Sequence, residues 1–88
     1  MPEIQVEFFG VPRLKAGLAL TQVTANTVAE LFATLREQLP EFADACLHGD
    51  QLKKEYLLSI NGTQFTRDES FNLNEGDHVL ILSADVGG

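Results

Sequence analysis

The sequence holds a single cysteine, Cys46, among 88 residues. One thiol cannot close an internal disulfide or by itself build a zinc or iron–sulfur cluster, so the chain is expected to bind no metal and to suit a reducing compartment. The two histidines, His48 and His78, are isolated, with no second ligand at helical or strand spacing. No apolar run approaches the roughly 20 residues that cross a bilayer, and Met1-Pro2-Glu3 lacks the charged and apolar regions of a secretion signal. A cytoplasmic protein with no membrane partner is therefore expected. Positive charge is also scarce: six Lys and Arg stand against 13 Asp and Glu, a net charge of −7. That balance repels a phosphate backbone instead of releasing its counterions, which argues against nucleic acid as a partner. The acidic residues, Glu3, Glu30, Glu41, Asp50, Asp68 and Asp77 among them, are scattered. They read either as a soluble, self-repelling surface or as a field that steers a basic protein partner.

What is present fits one domain with one modest core, since 44% of the residues are hydrophobic and the chain is too short for a second core. Ile4-Gln5-Val6-Glu7-Phe8 alternates apolar and polar residues, the period of a strand with one buried face, so Ile4, Val6 and Phe8 should point inward. Gly10, Pro12 and Gly17 punctuate what reads as a loop carrying Arg13 and Lys15. Leu18 to Thr24 then suits a hairpin partner for the first strand.

Thr27-Val28-Ala29-Glu30 matches a capping box and predicts a helix start. Val28, Leu31, Phe32, Leu35 and Leu39 fall on one helical stripe, and Pro40 marks its end. Glu41 to His48 reads as a further short helix ending at Gly49. Tyr56 to Ile60 is an expected strand, and Asn61-Gly62 supplies the positive φ angles of a type I′ turn before Thr63-Gln64-Phe65 returns. After Phe71 and Leu73, Asn74-Glu75-Gly76-Asp77 reads as a turn, with Asp77 bonding its own backbone. His78 to Leu82 is apolar on both faces, which suits a central strand. The order predicts an α+β domain with a mixed sheet of four to five strands and one main helix across a face. Cys46, between Ala45 and Leu47, reads as a small buried residue.

The sequence closes on Gly87-Gly88. Without a Cβ, glycine tolerates almost any backbone angle, so such a tail can pass a channel too narrow for side chains; a frayed end is the alternative. In this order the elements resemble the ubiquitin-like β-grasp proteins, and the tail is similar to that of the MoaD/ThiS sulfur carriers. Phe8-Phe9-Gly10 with Arg13-Leu14 and Gly17 resembles the first strand and loop of the small subunit of molybdopterin synthase. Thr27 to Leu31 resembles the start of the family helix, Asn61-Gly62 its hairpin, and Glu75-Gly76-Asp77-His78-Val79 the turn before its last strand. Leu82-Ser83-Ala84-Asp85-Val86 lacks the proline pair that often precedes the diglycine in that subunit, and Glu41 to Glu55 is longer than the matching region of thiamine-pathway carriers.

The resemblance implies a β-grasp domain over residues 1–84 and a flexible tail over 85–88. It implies no bound cofactor, with ATP consumed by a ubiquitin-activating-like adenylyltransferase that turns the Gly88 carboxylate into an acyl-adenylate and then a thiocarboxylate. Gly88 would carry the reacting carbon and Gly87 would let the tail thread. The sulfur would pass to the large subunit of molybdopterin synthase or to another sulfur-accepting enzyme. If Val79 and Ile81 face the helix, then Leu80, Leu82 and Ala84 lie on the opposite face and, with Phe9, are the expected partner-binding residues. A carrier for cysteine, thiamine or a secondary metabolite, a protein modifier joined through Gly88 to lysine, and an interaction module with an inert tail stay open from the sequence.

Overall fold

Ile4, Val6 and Phe8 alternate with Glu3, Gln5 and Glu7. In the computed structural model, which describes residues 2–84, this pattern becomes strand β1 (Glu3–Phe8), its three apolar side chains sealed from solvent. Past Phe9 the chain makes a sharp corner at Gly10, where φ is 72° and ψ is −136°. That region is essentially closed to residues with a Cβ. The corner launches a helix where a loop was expected: α1 (Val11–Ala16) carries Pro12 buried in its first turn. It stops at Gly17, whose φ is 77° and whose N–H donates to the Arg13 carbonyl. Six residues give too little periodicity to read, and packing against later parts of the chain supplies what this helix lacks in length.

Strand β2 (Leu20–Thr24) returns antiparallel to β1, in the register Glu3 to Thr24 and Glu7 to Leu20. Helix α2 (Val28–Gln38) starts at the expected cap: the Thr27 hydroxyl accepts from the Glu30 N–H. The reciprocal arm differs by one residue, because the Glu30 carboxylate accepts from the Asn26 N–H instead of the Thr27 N–H. Val28, Leu31, Phe32 and Leu35 are buried as the stripe requires. Helix α3 (Pro40–Cys46) begins on Pro40 itself, which suits a first-turn position that needs no N–H. It ends before His48, because the chain turns into a small hairpin, β3 (Leu47–His48) with β4 (Gln51–Leu52). Gly49, expected as a helix stop, is instead in this hairpin's turn with φ 64°. The Arg36 guanidinium reaches the Gly49 carbonyl and, at 3.2 Å, the Asp50 carboxylate, which ties the hairpin to α2.

Strands β5 (Tyr56–Ile60), β6 (Gln64–Phe65) and β7 (His78–Ser83) complete a five-stranded sheet in the order β2-β1-β7-β5-β6. Only β1 and β7 pair in parallel; the other pairs are antiparallel. The doubly apolar β7 takes the centre of the sheet, as its pattern requires, and Val79 and Ile81 are fully buried under the helices. This mixed sheet with its main helix across one face is the expected ubiquitin-like β-grasp architecture. At its centre Phe8 and Phe42 meet edge to face with ring centroids 5.1 Å apart. Cys46 is fully buried, and burial pushes its thiol above the ordinary 9.0, so it rests in the weakly nucleophilic neutral form.

Asn61 does more than open a turn. Its φ of 53° and that of Gly62, 68°, give the two positive angles expected, and Thr63 then intervenes before Gln64 pairs with Ile60. The Asn61 amide also donates to the Asp77 carboxylate at 3.0 Å and its carbonyl accepts from the His78 N–H at 2.8 Å. Asp77 in turn accepts from the Asn74 N–H at 2.8 Å, so it closes the expected turn by bonding the backbone three residues earlier and not its own. Asn61→Gly keeps the backbone angle and deletes both clamp bonds. The expected loss is about 1–3 kcal/mol at roughly 1 kcal/mol per hydrogen bond, read as a lower midpoint in thermal unfolding followed by circular dichroism.

Candidate functional site

The strand registers sort the outer face of the sheet, the one away from the helices, into cross-strand rows. Nearest the end where β7 leaves the sheet, Leu82 pairs with Leu57, and Phe9 extends the row on the other side, its N–H donating to the Ile81 carbonyl. The next row runs Leu20, Glu7, Leu80, Ser59 and Phe65. Beyond it come Gln22, Gln5 and His78, and then Thr24 and Glu3. The face is thus mostly apolar at the end from which residues 85–88 follow and polar at the far end. This gradient arises because β1 and β7 run in parallel toward the apolar end.

Several apolar side chains of this face stay in water: Phe65 is 62%, Leu20 52% and Phe9 46% exposed. Leu80 is half-buried, whereas Leu82 is only 9% exposed although it stands outside the core cluster. Leu82 is therefore flanked by its own face and presents less area than its parity alone suggests. Ala84 is half-buried, and its N–H donates to the Glu55 carbonyl at 2.8 Å. The structure thus brings Phe9, Leu80, Leu82 and Ala84 together at one end of the sheet. It adds Leu57, Leu20 and Phe65, which sequence reading missed because their place on this face depends on register between distant strands.

Beside this face, α1 contributes Val11 and the 80% exposed Leu14 to an open cleft of about 750 Å3, completed by Phe9, Arg13, Leu18 and Ser83. Phe9, Val11 and Leu14 line this cleft together, and contiguous exposed apolar area of this kind suits an interaction surface. Arg13 and Lys15, read as loop charges, are exposed on this helix. A smaller cavity of about 180 Å3 lies across the molecule between α2, β4 and Arg67. Arg67 is occupied structurally, donating to the Leu52, Lys54 and Tyr56 carbonyls. Among the described residues no group of three metal-ligating side chains converges, and no helix is long and apolar enough to cross a membrane. The expected reacting residue Gly88 and the threading residue Gly87 lie outside the described residues.

Phe9, Leu20 and Phe65 leave exposed apolar area on one face of the sheet, at the end from which residues 85–88 follow. Known proteins agree with this reading of the fold. The solved structure of SAMP1 from Haloferax volcanii superposes with a TM-score of 0.82 at 18% identity, covering 98% of this chain and 99% of that one. In the Amycolatopsis orientalis BexX/CysO complex, a matching chain gives a TM-score of 0.78 at 17% identity, with 97% and 99% covered. In the complex of subunits 1 and 2 of the molybdopterin-converting factor from Helicobacter pylori 26695, the values are 0.66 and 22%, with 92% of each chain covered. No curated protein sequence matches the chain. The sequence pattern of the ThiS family matches residues 6–88. The chain belongs to the ThiS family, ubiquitin-like sulfur carriers of the MoaD/ThiS type.

Proposed function

We propose that the protein is a sulfur carrier loaded at Gly88 and that it serves molybdopterin synthesis as the small subunit of a two-protein synthase. The observation that carries the reading is the family match running through residue 88, which takes in Gly87-Gly88, behind a sheet face whose apolar end adjoins the tail. An ionised carboxylate is a poor electrophile. A partner adenylyltransferase therefore joins the Gly88 carboxylate oxygen to the α-phosphorus of ATP, and pyrophosphate leaves. The terminal sulfur of an enzyme-bound persulfide attacks the resulting acyl carbon and AMP leaves. A second thiol then attacks the inner sulfur, forms a disulfide with it and releases the Gly88 thiocarboxylate. Phe9, Leu80, Leu82 and Ala84 dock the carrier on the adenylyltransferase and then on the synthase large subunit, and the carrier lends no acid or base to either.

Intact-mass measurement of the untagged protein from its own host tests the reading. The expected spectrum contains a species heavier by the exchange of one oxygen for sulfur, which transfers its sulfur to a molybdopterin precursor when the large subunit is added. A chain found only unmodified, or found joined to lysines of other proteins, rejects it. Leu80→Asp tests the docking face. Leu80 lies directly between Glu7 and Ser59, so the variant sets two carboxylates side by side in the middle of the surface. The fold should persist, because Leu80 lies outside the core cluster, while loading by the adenylyltransferase falls about 100-fold, the cost of losing a central interface residue.

A further inference from the structure

In the two rows nearest the tail, Glu7 is the one ionisable residue among Phe9, Leu82, Leu57, Leu20, Leu80, Ser59 and Phe65. It lies between Leu20 and Leu80, and its carboxylate is met by His78 Nε2 at 2.9 Å, the two side chains being 45% and 41% exposed. Among the described residues, the strand positions that flank this pair add no lysine or arginine. Strand β1 contributes Glu3 two rows away, β2 contributes Gln22, β5 contributes Ser59, and Asp77 precedes His78. Arg13 and Lys15 belong to α1, beyond the tail end of the sheet.

A partner that covers Leu80, Phe9 and Leu20 must also cover Glu7, and a carboxylate stripped of water is strongly unfavourable unless a cation meets it. One imidazole hydrogen bond satisfies a single lone pair and leaves the negative charge in place when the ring is neutral. We propose that Glu7 determines partner specificity. The adenylyltransferase that docks on this face presents an arginine or lysine to the Glu7 carboxylate, inside an otherwise apolar contact. Such a contact rejects apolar-only and acidic surfaces, and it fixes one rotational setting of the sheet, the one that aims the tail. The chain's net charge of −7 favours approach of the same basic surface.

This inference rests on the carrier reading, and its test separates the two. Pyrophosphate release by the host's own adenylyltransferase is measured against carrier concentration for the parent, Glu7→Gln and Glu37→Gln. Both variants raise the net charge by one, and Glu37 is an exposed residue of α2 on the helical side. Glu7→Gln is expected to raise KM about tenfold or more, to leave kcat unchanged, and to flatten the dependence of KM on salt, while Glu37→Gln behaves as the parent. Equal effects of the two variants, or none from Glu7→Gln, overturn the inference while the carrier reading stands. A parent chain that is never adenylated overturns both.

Discussion

A chain that ends at Gly87 is expected to fold as well as the parent and to accept no sulfur. Strand β7 finishes at Ser83 and the matched family sequence continues through residue 88, so removal of Gly88 leaves every residue of the described core in place. What changes is reach. One residue of extended chain spans at most about 3.6 Å, and the shortened tail still ends in a glycine carboxylate of ordinary chemistry. With the sheet face docked in its usual place, that carboxylate stops one residue short of the α-phosphorus of ATP. Displacement of a reacting atom by even 1 Å can cost about 100-fold, so a shortfall of a whole residue should leave loading undetectable. The measurement is intact mass after incubation with the adenylyltransferase, ATP and a persulfide donor. An unchanged unfolding midpoint assigns the loss to reach, and equal loading of the two chains would move the reactive carbon away from Gly88.

Phe42→Ala should produce a large loss of stability. Phe42 is fully buried on α3, and its ring packs edge to face on Phe8 of β1. It therefore connects α3 to the sheet. Truncation removes the transfer free energy of the ring, leaves a cavity that two rigid elements cannot close, and deletes an aromatic pair. Together these cost about 3–5 kcal/mol, against a total of about 5–15 kcal/mol for a domain of ordinary stability. At about 4–8 °C per kcal/mol for a chain of this length, the midpoint drops by more than 10 °C, which a thermal melt followed by circular dichroism reads directly. A drop of only a few degrees would mean that α3 collapses into the cavity and is not held as a separate layer.

The elements that were legible in the sequence share one property: their cause is local. The capping residues Thr27 and Glu30 lie within one turn, the stripe from Val28 to Leu35 repeats every three or four residues, and Asn61-Gly62 owes its positive angles to its own two residue types. The apolar character of both faces of His78 to Leu82 was enough to place that strand in the middle of the sheet and to separate Val79 and Ile81 from Leu80 and Leu82. The resemblance carried by these pieces and by Gly87-Gly88 pointed to the family that the match over residues 6–88 then showed.

Where reading failed, the cause lies far away in the chain. Helix α1 replaces an expected loop because six residues cannot hold a helix alone, and its support comes from α3 and β7, both distant in sequence. Gly49 turns a hairpin instead of ending a helix because Leu47 and Leu52 pair across it. Glu7 and His78 meet across 71 positions, and Asn61 reaches Asp77 across 16, through registers that no local pattern encodes. The sequence by itself determined helix α2, the strands of the main sheet and the family to which they belong, because near neighbours set periodicity, caps and turns. The tertiary structure alone decided that the apolar rows gather at the tail end of the sheet and that a carboxylate stands among them, because a parallel pairing between the first and last strands sets that register.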